Sequence, residues 1–79
     1  MNSSFTPLQG QYLAFIRYYT KIHRRPPAER DMQLYFMVSP SAVHKMVLLL
    51  EEKGLISRTP GQARSIRVSL PREQVPDLE

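Results

Sequence analysis

VSPSAVHKMVLLLEEKGLI, at residues 38–56, specifies a helix together with both of its ends. Ser39 can accept a backbone hydrogen bond as the N-cap, and Pro40 suits the first helical position. Gly54 can take the left-handed conformation that ends a helix. Because Leu55 and Ile56 follow at once, the segment predicts a capped helix that leads directly into a strand.

The predicted helix has an apolar face and an exposed face. Its apolar side chains recur at helical spacing and form a buried stripe: Val43, Met46, Val47 and Leu50. Its first exposed turns carry small and hydrogen-bonding residues: Ser41, Ala42, His44 and Lys45. Such side chains can approach base edges, which indicates a helix that enters a DNA groove. Leu48 and Leu49 lie toward the edges of the stripe and either widen the core, which we favour, or form an apolar contact between molecules.

A long helix is predicted near the start of the chain. Thr6-Pro7-Leu8-Gln9 combines an N-cap, a proline at the first helical position and a glutamine three residues after the cap. Apolar residues then recur at helical spacing until about His23: Leu8, Tyr12, Phe15, Ile16, Tyr19 and Ile22. Pro26 and Pro27 end this helix.

A shorter helix is predicted from Ala28 or Glu29 to Phe36, with Glu29 and Asp31 in its first turn, where the helix dipole favours acids. Its predicted buried side consists of Met32, Tyr35 and Phe36.

After the third helix, residues 55–58 and 65–69 predict two short strands joined by a turn that contains Pro60 and Gly61. In the second strand Ile66 and Val68 should face the core while Arg67 faces outward. The predicted fold class is therefore mainly α with a small antiparallel β-hairpin, a three-helix winged helix-turn-helix at residues 1–69. Residues 70–79 contain two prolines and no periodicity, which predicts a loosely ordered tail.

Size and composition narrow the function. With 79 residues the chain is one small domain, and with no cysteine it has neither a disulfide framework nor a thiolate metal site, which fits a cytoplasmic protein. Met1-Asn2-Ser3-Ser4-Phe5 does not resemble an export signal. Residues 1–69 carry ten bases against four acids, a net charge of +6, compared with +4 for the whole chain. This charge favours an anionic partner.

Several short elements occur together in a familiar order: Phe5-Thr6, Phe15-Ile16-Arg17, Pro26-Pro27, Ser39-Pro40, Lys53-Gly54-Leu55-Ile56 and Ala63-Arg64-Ser65-Ile66-Arg67. In this order and spacing the chain resembles the DNA-binding domain of LexA-type repressors over about residues 5–70, with roughly one residue fewer between the second and third helices. The resemblance implies a winged helix-turn-helix that binds an operator and represses transcription.

The sequence departs from that family mainly in the third helix, whose exposed face reads the DNA bases in the family. The family carries Ser-Pro-Asn-Ala and then two glutamates on the reading face, where this chain has Ser41 in place of the asparagine and His44 and Lys45 in place of the glutamates. Ala28 stands where the family usually has a threonine cap. The family's self-cleaving domain, with its serine-lysine dyad, has no counterpart in these residues.

The functional prediction is sequence-specific binding of double-stranded DNA by a transcriptional repressor or regulator. Base readout is assigned to Ser41, Ala42, His44 and Lys45. Contact with the DNA backbone is assigned to Ser39 and the wing residues Arg58, Arg64 and Arg67. Each assignment has an alternative without DNA contact. The exposed helix residues would then form an ordinary solvated turn, and the arginines would only keep the hairpin soluble.

The alternative function is that of a winged-helix adaptor which binds protein and not specific DNA. We predict no enzymatic activity, since the serines and histidines occupy capping and surface positions, and no cofactor, metal or small-molecule substrate. A homodimer that forms on DNA through wing contacts is one expected assembly, because one domain of this size contacts few base pairs, and a monomer in free solution is equally compatible with the sequence.

Overall fold

The computed structural model describes residues 5–79, so the prediction about an export signal at residues 1–4 lies outside the described range. Three helices, α1 (Pro7–His23), α2 (Glu29–Phe36) and α3 (Pro40–Glu52), precede a hairpin of β1 (Ile56–Ser57) and β2 (Arg67–Val68). The strands pair in antiparallel register, Ile56 with Val68 and Ser57 with Arg67. The predicted winged helix-turn-helix is confirmed.

Both ends of α3 follow the prediction. The Ser39 hydroxyl accepts the Ala42 N–H at 3.2 Å, and Pro40 is the first helical residue. At the other end Gly54 has φ = 75°. Its N–H donates to the Glu51 carbonyl at 3.0 Å and the Leu55 N–H donates to the Leu50 carbonyl at 3.0 Å, the pair of bonds that defines a Schellman motif. The chain therefore turns sharply into β1.

The core-facing stripe of α3 also agrees with the prediction. Val43, Val47 and Leu50 are fully buried, and Met46 is partly buried against the same core. Leu48 and Leu49 differ, because they remain 42% and 39% exposed. The idea that they widen the core is therefore wrong for this structure, in which the core closes on one side of the helix only.

Helix α1 begins with the predicted capping box. The Thr6 hydroxyl accepts the Gln9 N–H at 3.1 Å, and the Gln9 side chain accepts the Thr6 N–H at 2.9 Å. The predicted apolar face is partly wrong, because Leu8 and Ile22 are 54% and 69% exposed. The helix is instead buried at Gln9 and Gly10 and then on several sides from Tyr12 to Ile16, while its last residues, 21–23, are exposed.

Helix α2 starts at Glu29 without a side-chain cap from Ala28. The Asp31 carboxylate, at the third helical position, accepts the Ala28 N–H at 2.8 Å, which is the half of a capping box that needs no side-chain cap from Ala28. Met32 is fully buried as predicted, and Phe36 stacks on Tyr12 with ring centroids 4.1 Å apart.

Two tyrosines near this part of the core differ in burial. Burial raises the pKa of Tyr12 above its ordinary value. The prediction that Tyr35 is buried is wrong, since it stays 43% exposed and its hydroxyl donates to the Glu79 carbonyl at 2.9 Å.

The tail at residues 70–79 differs from the loosely ordered segment that was predicted. It contains a 3₁₀ helix (Arg72–Gln74), and its apolar side chains pack against the core: Leu70, Val75 and Leu78. The Gln11 side chain donates to the Asp77 carbonyl at 3.0 Å and accepts the Glu79 N–H at 2.8 Å. A polar side chain on α1 thus binds backbone groups 66 and 68 residues away, an arrangement that local periodicity does not reveal.

Candidate nucleic-acid interface

The first two turns of α3 present the residues predicted for base readout. Ser41, Ala42, His44 and Lys45 are all exposed, whereas Val43 between them is fully buried and fixes the rotation of the helix. The hydroxyl of Ser39, besides capping the helix, lies 3.3 Å from the hydroxyl of Ser41. The structure therefore brings these side chains together on one surface.

The two members of this set that can carry charge have different surroundings. The Nδ1 atom of His44 lies 3.2 Å from both carboxylate oxygens of Glu29, which is the first residue of α2. The His44 side chain is nevertheless 53% exposed, so its other ring edge faces solvent. Lys45 is exposed and takes no part in the ion pairs found within residues 5–79.

The turn before α3 depends on a left-handed residue. Met37 has φ = 56°, and its N–H donates to the Gln33 carbonyl, which also accepts the Val38 N–H at 3.2 Å. The Met37 and Val38 amides thus share one carbonyl acceptor of the last turn of α2, and α3 begins only three residues later, at Pro40. This tight turn fixes where α3 lies relative to α2.

Arg64, which the sequence analysis assigned to contact with the DNA backbone, makes several contacts within the molecule. One guanidinium nitrogen donates to Asp31 Oδ2 at 3.1 Å, to the Tyr19 hydroxyl at 3.1 Å and to the Pro26 carbonyl at 3.3 Å. The hydrogen bond to Tyr19 is the main cause that raises the pKa of Arg64, with Asp31 adding to it. The backbone at Arg64 is left-handed, with φ = 57°. These contacts attach the wing to α1 and to the start of α2.

Arg58 is also engaged within the molecule. Its Nε atom donates to Glu51 near the end of α3 at 3.0 Å, and only 19% of its side chain is exposed. Arg58 and Arg64 each pair with an acidic residue of a helix. These ion pairs hold the hairpin in place beside α2 and α3.

Arg67 is exposed and lies beside two further cations that the sequence interpretation did not assign. An open cleft of about 370 Å³ between α1 and β2 is lined by Ile16, Arg17, Thr20, Lys21, Arg67 and Val68. Arg17 and Lys21 are four residues apart and hence on one face of α1. That spacing was available in the sequence, but only the packing of β2 against α1 brings Arg67 to the same cleft.

Two structural observations concern residues 5–79 only. No group of three or more histidine, cysteine, aspartate or glutamate side chains is placed to hold a metal ion. No helix in this range is both long and apolar enough to cross a membrane.

Comparison with known proteins gives a consistent result. The family model described as the LexA DNA binding domain matches residues 2–65. The LexA repressor of Thermosipho melanesiensis is 34% identical over 70 residues, which cover 89% of this chain and 35% of the relative. That of Thermosipho africanus is 39% identical over 61 residues, or 77% and 31% of the two chains. That of Pseudomonas aeruginosa is 40% identical over 65 residues, or 80% and 31%. The chain thus spans about a third of the length of these relatives.

Proposed function

The chain belongs to the LexA DNA-binding domain family, and from this premise we propose that it binds duplex DNA sequence-specifically as a transcriptional repressor or regulator. The observation that carries the proposal is the surface of α3. Its first two turns expose Ser41, Ala42, His44 and Lys45, while capping and a fully buried Val43 fix the helix beneath them. A rigid helix with polar, short side chains at its N-terminal end suits the major groove.

In this proposal the residues at the start of α3 have different tasks. Lys45 donates to the O6 and N7 acceptors of guanine, and Ser41 can donate or accept. Ala42 is small enough to let the helix approach and can contact a thymine methyl group. Ser39 lies at the helix start, where backbone N–H groups favour a phosphate.

Backbone contact is proposed for the cleft between α1 and β2. Arg67 would act there together with Arg17 and Lys21, because the three cations line one open surface. Arg58 and Arg64 receive a different role from the one that the sequence suggested. Since both are bound to helix acids, we assign them to positioning the wing. The domain that carries out these tasks includes residues 1–69 in our proposal, and the packed tail adds to its surface.

The assembly and location follow from the proposed ligand. We propose a homodimer on DNA, with each copy on one half-site, and a cytoplasmic location where chromosomal DNA is accessible. A selected binding site made of two inverted halves about one helical turn apart would support the dimer, and a single unrepeated half-site would refute it. No enzymatic step is part of the proposal.

A salt titration tests the proposed function. A labelled duplex of random sequence is titrated with the protein at 50 mM and 200 mM salt. About three phosphate contacts give a slope of about −2.7 in log K against log salt, which corresponds to roughly 40-fold weaker binding over this range. Selection from a random duplex library then identifies the preferred site. Absence of binding at 50 mM salt with micromolar protein would instead favour the adaptor function.

A further inference from the structure

We propose that Glu29 determines the base that His44 selects, by holding the imidazole in the tautomer whose Nε2 atom is a hydrogen-bond acceptor. The inference rests on the proposed function, because it concerns base readout by α3. It makes Glu29 a positioning residue for specificity, although Glu29 belongs to α2 and is not assigned to the interface itself.

The Glu29 carboxylate determines that Nδ1 of His44 carries a hydrogen. Both oxygens of the Glu29 carboxylate lie 3.2 Å from Nδ1. An ionised carboxylate can only accept hydrogen bonds, so the hydrogen between the two groups must be on Nδ1. Glu29 is 30% exposed and is the first residue of α2, where the helix dipole favours the charged carboxylate.

The opposite edge of the imidazole, at Nε2, is left as a hydrogen-bond acceptor. A neutral imidazole has one N–H, so a hydrogen on Nδ1 leaves Nε2 with a lone pair. Within residues 5–79 Nε2 has no hydrogen-bond partner, and the side chain is 53% exposed. In the neutral ring the free edge of His44 is therefore an acceptor, on the opposite side from the nitrogen that faces Glu29.

An acceptor at Nε2 can bind only those bases that present a hydrogen-bond donor in the major groove. In the major groove only the amino groups at adenine N6 and cytosine N4 are hydrogen-bond donors. Guanine O6 and N7 and thymine O4 are acceptors and would leave two lone pairs facing each other. His44 should therefore select adenine or cytosine. This differs from a free histidine at the same place, which could donate to guanine from either nitrogen.

The tautomer can be measured without DNA. Long-range ¹H–¹⁵N correlation spectra at pH 8.5, where an ordinary imidazole is neutral, distinguish the two tautomers. Loss of a signal in His44→Ala separates this residue from His23. We expect the Nδ1–H form in the wild type and a shift toward the Nε2–H form, which free imidazole side chains prefer, in Glu29→Ala. A wild type with the Nε2–H form would overturn the inference.

The consequence for DNA is tested by site selection at the same pH with the wild type and three variants. The operator position whose preference disappears in His44→Ala is the one that His44 contacts. There the wild type should prefer adenine or cytosine by about three- to tenfold, the range expected for one hydrogen bond, and Glu29→Ala should reduce the preference to below about twofold. Glu73→Ala, which removes the same charge from the tail, should behave as the wild type.

The outcomes separate the two levels of the argument. If the wild type enriches no sequence, the proposed function itself fails, while the spectra still report the state of His44. If the wild type enriches a site but prefers guanine at the His44 position, or if Glu29→Ala keeps the wild-type preference there, the inference about Glu29 fails and the proposed function stands.

Discussion

Replacing Asp31 with alanine removes the acceptor of two contacts at once. Its Oδ2 atom accepts the Ala28 N–H at 2.8 Å and also a guanidinium N–H of Arg64 at 3.1 Å. The first contact starts α2, since Ala28 offers no cap of its own. The second attaches the wing to that helix. We therefore expect Asp31→Ala to lower the stability of the domain and to loosen the wing.

Asp31→Asn separates these two effects, because asparagine keeps an oxygen that can accept the Ala28 N–H but has no negative charge. A capping hydrogen bond contributes about 0.5–2 kcal/mol, so the alanine variant should be less stable than the asparagine variant by about that amount. In a domain of this size, each kcal/mol lowers Tm by roughly 4–8 °C. The charge lost in both variants adds little, since Asp31 and Arg64 are 23% and 33% exposed and water screens the pair.

Urea unfolding followed by circular dichroism measures the difference. The midpoint should fall in the order wild type, Asp31→Asn, Asp31→Ala, while the slope stays constant because the same surface is exposed on unfolding. Asp77→Ala is the matched control, since it removes the same charge from an exposed side chain in the tail. Equal midpoints for the two Asp31 variants would refute the capping role.

Three other predictions concern the interface and the tail. Arg67→Ala should lower the salt slope of DNA binding by about one unit without a loss of stability, whereas Arg64→Ala should reduce thermal stability; equal effects would contradict their separate roles. Changing His44 and Lys45 together to glutamate should shift site selection toward a LexA-type operator, each good contact being worth about 1–3 kcal/mol, and unchanged selection would exclude both from base readout. Gly10→Ala adds a Cβ 2.9 Å from a ring carbon of Phe5 and 3.0 Å from Pro76 Cγ, so both neighbours must shift and the C-terminal amides should exchange faster in NMR; unaltered exchange would show that Phe5 and the tail accommodate the methyl group.

Those parts of the fold that depend on neighbours in sequence could be predicted from the sequence. The caps at Thr6 and Ser39 and the helix end at Gly54 each involve residues within five positions of one another, so residue type and spacing are sufficient. The alternation of Ile66, Arg67 and Val68 likewise follows from the two-residue period of a strand.

Contacts between distant residues were harder to foresee. Arg64 was assigned to the DNA backbone because it is a basic residue of the wing, and its contacts within the molecule were not foreseen because its partners lie 33 to 45 residues earlier in the chain. The tail was predicted as loosely ordered because it has prolines and no periodicity. These features disfavour regular secondary structure, but they do not prevent a segment from packing against the core. Gln11 shows the difference, since one amide satisfies two backbone groups of an irregular segment.

The exposed residues of α3 show how a contact with a residue distant in sequence changes hydrogen-bonding properties that residue type alone does not determine. By residue type alone His44 and Lys45 are equivalent, since both can donate hydrogen bonds where the family's two glutamates can only accept them. Glu29 separates them, because it lies 15 residues before His44 and reaches the imidazole only through the packing of α2 on α3. In the base readout that we propose, Lys45 keeps three donors and suits guanine, while the free edge of a neutral His44 is an acceptor and suits adenine or cytosine. Adjacent residues would then select opposite hydrogen-bonding edges, which gives the operator more information than two equivalent cations could.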